Sequence, residues 1–218
     1  MRKILLTGFD SFGGQIFNPS WQVAQALHGT QVGGATVTSV CLPCVFGQSL
    51  GVLETALAMH RPVLVLALGQ AGGRSDFSLE RVALNVDDAP TADNAGQQPI
   101  DVPVHAGAPA AYFSRLPIKA MVAALRDAGL PASVSQSAGT FVCNHVFFGL
   151  MHALRRRPGV RAGFMHVPLL PEQAAAQPAG QPSLPLDTLV RGVHLALKTA
   201  LALPAAAGDL RRSGGAEA

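Results

Sequence analysis

The sequence predicts an α/β fold, a single-domain three-layer α/β/α sandwich around a twisted, mostly parallel central sheet. Short apolar segments alternate with segments that carry apolar residues at helical spacing, which is the pattern of a parallel sheet covered on both faces. The segment 63–68 is apolar throughout, as expected of a strand buried on both sides. Of the 218 residues, 49% are hydrophobic and only 13% are charged, against about 25% charged residues in ordinary soluble domains. A disordered chain is therefore excluded.

The first half of the chain predicts three strands and two helices. Asn18 or Ser20 is available to cap the first helix, because both side chains can accept a hydrogen bond from a backbone N–H of its first turn. The repeated order of strand and helix favours right-handed parallel crossovers. The predicted elements are a strand at 3–7, a helix at 19–27, a strand at 35–42, a helix at 48–59 and a strand at 63–68.

The second half continues this alternation after a long polar stretch, residues 87–101, which we call the excursion. A strand at 81–86 is followed by a stretch rich in Pro and Asp that extends to Asp101, and loops of this length inside compact domains are usually functional. We expect one catalytic domain over 1–204 and a frayed tail over 205–218. The remaining predicted elements are a helix at 115–127, a strand at 133–137, a helix at 143–156, a strand at 162–167 and a helix at 186–203.

Composition excludes several classes of function. The 16 Lys and Arg residues against 13 Asp and Glu give a net charge of +3, but the basic residues are scattered along the chain. The one dense run, Arg155 to Arg157, is typical of a solvated helix end, so we expect no nucleic-acid partner. No apolar run approaches the ~20 residues needed to cross a bilayer, so we expect no membrane association. Three cysteines cannot all pair and the first residues lack a secretory pattern, which predicts a reducing cytoplasm.

Three residues at predicted element ends are candidates for chemistry. Cys143 follows a turn of small residues at the start of a predicted helix, where free N–H groups and the helix dipole lower a thiol's pKa. It is either a nucleophile or a buried structural cysteine. His166 ends a buried strand at the edge where sites collect in parallel sheets, and is either a general base or a core histidine. Glu80 is a candidate for the carboxylate that orients the base, with Asp87 and Asp88 as alternatives.

Other motifs indicate redox, metal or nucleotide sites only weakly. Cys41 and Cys44 have the C-x-x-C spacing of a thiol redox motif, but they end a predicted strand instead of opening a helix. They lack the second pair of a zinc site, and no His/Cys/Asp set has the spacing of metal ligands. The stretches GFDSFGG and GQAGG match neither the dinucleotide nor the phosphate-loop pattern. We therefore expect no metal and no cofactor, and the role of the two cysteines stays open.

Five segments together resemble the pyroglutamyl peptidase I family, cysteine peptidases that remove an N-terminal pyroglutamyl residue. They are TGFDSFGG followed by NPSW, LGQAGGR followed by SLERVALNVDDA, DNAGQQPID, SAGTFVCNHVFFGL and GFMHVPLLPEQ. The resemblance extends from residue 3 to residue 173, in order and with matching spacing. It implies a cysteine exopeptidase that forms a thioacyl intermediate with peptides bearing an N-terminal pyroglutamate, and it implies a homotetramer.

The resemblance also implies roles for individual residues. The family's nucleophile, base and orienting carboxylate fall on Cys143, His166 and Glu80. The two phenylalanines that line its pyroglutamyl pocket fall on Phe9 and Phe12. Further pocket or positioning roles fall on Asn18, Gln70, Phe141 and Val142.

One position departs from the family pattern. Family members have an arginine soon after the paired aspartates, where this chain has Pro90. If that arginine helps to hold the oxyanion, its absence lowers the rate, since loss of one oxyanion donor costs ~10²–10³. Arg74 and Arg81 are the cations nearby in sequence. The alternative prediction is therefore a catalytically weakened relative that binds pyroglutamyl peptides.

Overall fold

The computed structural model describes residues 1–177, 180–203 and 208–215. Its alternation of strands and helices confirms the predicted α/β class. The strands are β1 (Arg2–Phe9), β2 (Gln31–Val32), β3 (Ala35–Leu42), β4 (Leu64–Gln70), β5 (Phe77–Glu80), β6 (Val82–Leu84), β7 (Ala111–Phe113), β8 (Ala132–Ser135) and β9 (Arg161–Val167). The helices are α1 (Pro19–Leu27), α2 (Gln48–His60), α3 (Ile118–Asp127), α4 (Val142–Ala153), α5 (Pro171–Ala175) and α6 (Leu186–Ala202).

A seven-stranded sheet forms the centre of the molecule, with the strand order β2-β3-β1-β4-β9-β5-β8. The pairs β1–β3, β1–β4, β4–β9 and β5–β8 are parallel. Strand β2 is antiparallel to β3, and β5 is antiparallel to β9. Strands β1, β4 and β9 are buried along most of their length because they lie in the middle of the sheet. The predicted, mostly parallel central sheet is thus confirmed.

Two hydrophobic cores lie on opposite faces of the sheet and create the three layers. On one face, Val23 of α1 and Val193 of α6 pack against the sheet, together with apolar residues of α3. On the other face, Leu53 of α2 and Val146 of α4 do the same. The central strands contribute to both cores, because successive side chains of a strand point to opposite faces. This agrees with the sandwich predicted from the sequence.

One difference from the predicted elements bears on the candidate site. We predicted a strand at 81–86 with Glu80 at its start, whereas Glu80 ends β5 and the next strand belongs to another sheet. A strand does lie within the predicted range, β6 (Val82–Leu84), but Glu80 does not begin it, because the backbone of Arg81 changes partners. Its N–H donates to the carbonyl of Ser135 (2.9 Å) at the end of β8, and its carbonyl accepts from the N–H of Ser114 (2.9 Å) beside β7. From there β6 pairs with β7 in a separate two-stranded sheet.

The polar excursion after β6 is fastened to the start of α4. The side chain of Asn144 accepts from the N–H of Leu84 and donates to the carbonyls of Leu84 and Val86, each at 2.9 Å. The N–H of Asp88 donates to the carbonyl of Thr140 (3.0 Å), and the Thr140 hydroxyl donates to the carbonyl of Asp88 (2.7 Å). The excursion is therefore held against the turn that precedes Cys143.

Of the predicted frayed tail, 205–218, the residues 205–207 and 216–218 lie outside the described part of the chain. The stretch 208–215 contacts the body of the molecule. The carboxylate of Asp209 accepts from the N–H groups of Lys119 (2.9 Å) and Ala120 (3.0 Å) in the first turn of α3. The predicted division into a single domain and a frayed tail stays a prediction.

Candidate active site

The histidine predicted as general base lies near the end of a central strand. His166 is the last residue but one of β9, and only 4% of its surface is exposed. Its backbone is paired with Gly69 on the parallel neighbour β4 and with Ser78 on the antiparallel neighbour β5. Two neighbouring strands therefore fix the position from which the imidazole projects.

Glu80 holds this imidazole in one orientation. The antiparallel register of β5 and β9 places Glu80 diagonal to His166 on the same face of the sheet. Nδ1 of His166 lies 2.7 Å from Oε1 of Glu80, whose side chain is fully buried. An ionised carboxylate can only accept, so Nδ1 carries the proton and the lone pair is on Nε2. The alternative carboxylates lie elsewhere, since Asp87 is paired with His145 and Asp88 is exposed.

Arg74 adds a cation to the same carboxylate. Its Nη1 donates to Oε1 of Glu80 at 2.7 Å, and its Nη2 donates to the carbonyl of Ser137 at 3.1 Å. The ion pair offsets part of the cost of burying the Glu80 charge. The second bond ties the loop after β4 to the turn before α4.

Cys143 lies in the first turn of α4, where the sequence places it. Its sulfur packs on the sheet at Gly69, since a Cβ added there would lie 2.9 Å from Sγ of Cys143 and 2.8 Å from the ring of Phe164. A side chain at this position would displace the sulfur, so the close approach requires glycine. Paired residues of parallel strands point to the same face, and Gly69 is paired with His166. The sulfur and the imidazole therefore lie over adjacent strand positions on one face.

Burial controls the protonation of the cysteine and the histidine. It raises the pKa of the Cys143 thiol, with Cys44 and Glu80 adding to the rise and Arg74 opposing it. It lowers the pKa of His166, against the opposing hydrogen bond and charge of Glu80. Both shifts favour the uncharged forms, a neutral thiol and a neutral imidazole. The lowering of the cysteine pKa that was predicted from the helix start is wrong in direction, since the shift is upward and burial is its largest cause.

The start of α4 presents backbone donors next to the sulfur. The first hydrogen bond of the helix joins the N–H of His145 to the carbonyl of Phe141 at 3.1 Å. The N–H groups of Val142, Cys143 and Asn144 precede that bond and have no acceptor within the helix. Such groups can receive the negative charge that develops on a carbonyl oxygen. Val142 is fully buried, and its predicted part in substrate binding stays a prediction.

Aromatic side chains form a wall beside the start of α4. The ring of Phe141 packs against Phe12, with 5.1 Å between ring centroids, and lies edge-on to Phe46 at 5.4 Å. Phe12 and Phe141 are half-buried, as side chains that line a pocket are expected to be. Phe9 is only 2% exposed, and its ring lies 6.5 Å from that of Phe164 in the core. The structure thus brings Phe12 and Phe141 together and places Phe9 in the packing beneath.

Asn18 and Gln70 have protein partners besides their predicted pocket roles. Oδ1 of Asn18 caps α1 by accepting from the N–H (3.0 Å) and hydroxyl (2.7 Å) of Ser20. Its Nδ2 donates to the carbonyl of Asp10 at 3.0 Å. Oε1 of Gln70 accepts from the amide of buried Gln173 at 3.1 Å, which leaves Nε2 of Gln70 to donate elsewhere. The substrate contacts of Asn18 and Gln70 stay predictions.

Two residues of the excursion fasten the loops that carry the aromatic wall. Oδ2 of Asp93 accepts from the N–H of Phe46 at 2.9 Å, and Nδ2 of Asn94 donates to the carbonyl of Ser11 at 2.8 Å. Burial raises the pKa of Asp93, but hydrogen bonds from several backbone N–H groups outweigh it, so the pKa is lowered overall. Neither residue could be given a role from the sequence, because the partners of both are distant along the chain.

A second buried histidine and carboxylate lie beside this wall. Nδ1 of His145 is 2.8 Å from Oδ2 of Asp87, and Nε2 of His145 accepts from the N–H of Gly47 at 3.0 Å. The imidazole ring lies edge-on to Phe46, with 5.2 Å between centroids. No role was predicted for His145 from the sequence, and Asp87 was considered there only as an alternative partner of the catalytic base. A histidine inside the apolar run of α4 was the available signal.

The C-x-x-C pair is not placed like a redox site. Cys41 and Cys44 are free thiols at the end of β3, before α2 begins. Burial and the charge of Asp10 raise the pKa of Cys41 to about 11, and burial with Asp10 and Asp93 raises that of Cys44 to about 12. Both thiols are therefore poor nucleophiles at neutral pH. Within the described part of the chain, no group of three His, Cys, Asp or Glu residues could hold a metal ion.

Comparison with known proteins assigns the chain to a family. The pyroglutamyl peptidase family model matches residues 2–203. Pyrrolidone-carboxylate peptidases from Cupriavidus necator and Escherichia fergusonii are 57% and 55% identical over 217 and 216 residues, which is 99% of each chain. The structure of pyroglutamyl peptidase I from Bacillus amyloliquefaciens is similar with a TM-score of 0.91 and 44% identity, over 96% of this chain and 100% of that one. Pyrrolidone carboxyl peptidase from Thermococcus litoralis has a TM-score of 0.89 and 38% identity, over 93% and 94%.

The protein has a three-layer α/β fold, in which a cysteine at the start of a helix lies beside a histidine that is bonded to a carboxylate. These are the parts of a cysteine-dependent hydrolase. The chain belongs to the pyroglutamyl peptidase family, a family of cysteine peptidases. The resemblance seen in its five sequence segments is thereby confirmed.

Proposed function

We propose that this protein is a cysteine exopeptidase that hydrolyses the N-terminal pyroglutamyl residue from peptides. The observation that carries the proposal is the position of the Cys143 sulfur over Gly69, next to an imidazole that Glu80 holds by a 2.7 Å bond. Relatives that are 55–58% identical over 99% of the chain are named pyrrolidone-carboxylate peptidase, and pyrrolidone carboxylate is pyroglutamate.

The first half of the reaction would form a thioester. As Sγ of Cys143 attacks the pyroglutamyl carbonyl carbon, its proton passes to Nε2 of His166. The carbonyl oxygen takes up negative charge, which the free N–H groups at the start of α4 would stabilise. The C–N bond then breaks, and Nε2 of His166 returns the proton to the departing amine. Because the resting thiol is neutral, proton transfer and attack are expected to be coupled.

The second half would release pyroglutamate. Water enters where the peptide has left, and Nε2 of His166 takes one of its protons as the oxygen bonds to the thioester carbon. The C–S bond breaks and the proton returns to the sulfur of Cys143. Glu80 stabilises the imidazolium that forms in both halves and keeps the proton on Nδ1, as the acid of a serine triad does.

Selectivity for the pyroglutamyl ring follows from the aromatic wall. The ring is flat and uncharged, so the faces of Phe12 and Phe141 can pack against it while a few hydrogen bonds bind the lactam group. An ordinary N-terminus carries a charged amine, whose transfer into an apolar pocket is costly unless it is paired. We therefore expect peptides with a free N-terminal amine to be rejected.

The alternative of a catalytically weakened relative has no support. Pro90 is exposed in the excursion, whereas the bond between His166 and Glu80 is buried. A guanidinium, that of Arg74, is present at the Glu80 carboxylate. The close relatives carry the name of the active peptidase.

The assembly and the location of the protein are also part of the proposal. A homotetramer is supported by the family resemblance, by the 13% content of charged residues and by exposed apolar side chains such as Phe113 and Ile100, each 70% exposed. A cytoplasmic location is supported by the three free cysteines. None of the helices in the described part of the chain is long and apolar enough to span a membrane. Peptides with an N-terminal pyroglutamate are the proposed partners, and nucleic acid is not.

The purified wild-type chain and a panel of arylamides test the proposal. Release of the arylamine from the pyroglutamyl compound, with no release from the prolyl and alanyl compounds, is the expected result. Equal release from all three would contradict the pocket, and no release from any would contradict the activity.

A further inference from the structure

We propose that His145 is a positioning residue for the substrate pocket, which it shapes by holding Phe46 behind Phe12 and Phe141. This inference rests on the proposed function. The group through which His145 acts is the backbone N–H of Gly47, the residue after Phe46.

The polarity of the hydrogen bonds fixes the state of the ring. The N–H of Gly47 can only donate, so Nε2 of His145 must accept, at 3.0 Å. The proton is therefore on Nδ1 and is donated to Oδ2 of Asp87 at 2.8 Å. Asp87 thus orients His145 as Glu80 orients His166. The difference is that Nε2 of His145 is already occupied by the backbone, which suits a structural role and not proton transfer.

The backbone before α2 depends on this bond. Gly47 is the N-cap of α2, with a φ of 71°, and no side chain caps that helix. The N–H of the preceding residue, Phe46, is bound by Oδ2 of Asp93 at 2.9 Å. Two consecutive N–H groups are therefore each held by a buried side chain from a distant segment, His145 and Asp93. Together these bonds set the direction in which the Phe46 ring projects.

Phe46 lies where it can shape the pocket. Its ring is perpendicular to that of Phe141, at 90° and 5.4 Å, and nearly perpendicular to that of His145, at 83° and 5.2 Å. Phe141 in turn packs on Phe12. Phe46 is only 6% exposed, whereas Phe12 and Phe141 are half-buried, so Phe46 supports Phe141 directly and Phe12 through Phe141. A shift of Phe46 would loosen the wall without touching the sulfur of Cys143.

Two substitutions separate the two bonds of His145. Asparagine can keep a donor for Asp87 but has no acceptor that reaches Gly47, whereas glutamine can keep that acceptor but loses the donor. His145→Asn is expected to raise KM for a pyroglutamyl-arylamide about tenfold with little change in kcat, since loss of the bond to Gly47 would let Phe46 shift, and tenfold in affinity corresponds to a small change in packing of the wall. His145→Gln is expected to lower the melting temperature more, because it leaves the buried Asp87 unpaired, and to raise KM less.

A matched control and a second readout exclude a merely structural effect. His152 lies on the same helix and bonds to the hydroxyl of Tyr112 at 3.0 Å, so His152→Asn repeats the chemical change away from the wall. It is expected to leave KM and kcat as in the wild type. The rate at which iodoacetamide alkylates Cys143 is expected to be the same in the wild type and in both His145 variants.

A double-mutant cycle with Phe46→Leu connects the effect to the ring. If His145 acts through Phe46, the two changes in KM are not additive. The inference would be overturned if His145→Asn left KM unchanged or failed to fold. It would also be overturned if the changes in KM caused by His145→Asn and Phe46→Leu were additive, or if kcat and the alkylation rate fell in parallel. Wild-type turnover is measured separately and tests the proposed function alone, whereas the ratio of variant to wild-type KM tests the role of His145.

Discussion

Nδ1 of His166 lies 2.7 Å from Oε1 of Glu80, across the antiparallel pair of strands β9 and β5. Glu80 has no exposed surface, so water does not compete for this bond. The bond sets the tautomer of the imidazole, and burial keeps the ring neutral by lowering its pKa. The proposed chemistry depends on both effects.

Replacing the carboxylate by an amide tests its charge. Glu80→Gln removes the negative charge that stabilises the imidazolium, and its amide can donate to Nδ1 and select the wrong tautomer. We expect kcat to fall by up to ~10⁴, the size of the effect when the acid of a serine triad is replaced by its amide. Asp88→Asn is the matched control, because it makes the same change at an exposed carboxylate, and it is expected to leave kcat unchanged. Equal kcat values in the two variants would exclude an orienting role for Glu80.

The pH dependence of kcat/KM tests the neutral resting pair. The imidazole must be neutral to accept the thiol proton, and its pKa lies below the usual 6.5. As pH falls, activity is therefore expected to persist below 6.5 before it is lost. The thiol pKa lies above its usual 9.0, so the ultraviolet absorbance of a thiolate is expected to be absent at pH 7. A thiolate signal at pH 7 that disappears in a Cys143→Ala variant would contradict the neutral pair.

Arg74 is expected to tune the histidine. Its positive charge lowers the pKa of His166, so Arg74→Met is expected to raise that pKa and to move the acid limb of kcat/KM to higher pH. Arg81→Met is the control, because the Arg81 guanidinium bonds to the carbonyl of Gly214 instead of to Glu80. The same shift in both variants, or none in Arg74→Met, would show that Arg74 does not act on the imidazole.

Gly69 provides a test of the contact between sulfur and sheet. In Gly69→Ala the new Cβ would lie 2.9 Å from Sγ of Cys143 and 2.8 Å from the Phe164 ring, so one of them must move. We expect a loss of about 1–3 kcal/mol in the free energy of unfolding and a slower alkylation of Cys143. Gly72→Ala introduces a Cβ that meets nothing within 4 Å and is expected to change neither quantity. If Gly69→Ala and Gly72→Ala had the same free energy of unfolding and the same alkylation rate, the sulfur of Cys143 would not pack against Gly69.

Features with a local cause could be predicted from the sequence. Asn18 caps α1 as expected, because capping needs only a side chain and the next turn of backbone. The strand predicted at 35–42 matches β3 (Ala35–Leu42), since its β-branched residues and flanking glycines are all local. The start of α4 near Cys143 follows for the same reason, from the turn of small residues before it.

Features that depend on distant contacts could not be predicted in this way. Strand β5 ends at Glu80 because its neighbour Arg81 is shared between two sheets. His145 and Asp87 are 58 residues apart, and nothing in either segment indicates the other. The raised pKa of Cys143 comes from burial of its sulfur against the sheet, which the local helix start does not reveal. Family resemblance supplied the roles of Cys143 and His166 without these physical causes.

Hydrolysis of a pyroglutamyl-arylamide by Cys143→Ala tests the central claim most directly, with Cys44→Ala as the control for loss of a neighbouring thiol. The mechanism predicts no arylamine release by Cys143→Ala above the uncatalysed rate. It also predicts near wild-type release by Cys44→Ala, and a transient pyroglutamyl adduct, seen by mass spectrometry, only when Cys143 is present. Retained hydrolysis in folded Cys143→Ala would contradict the mechanism.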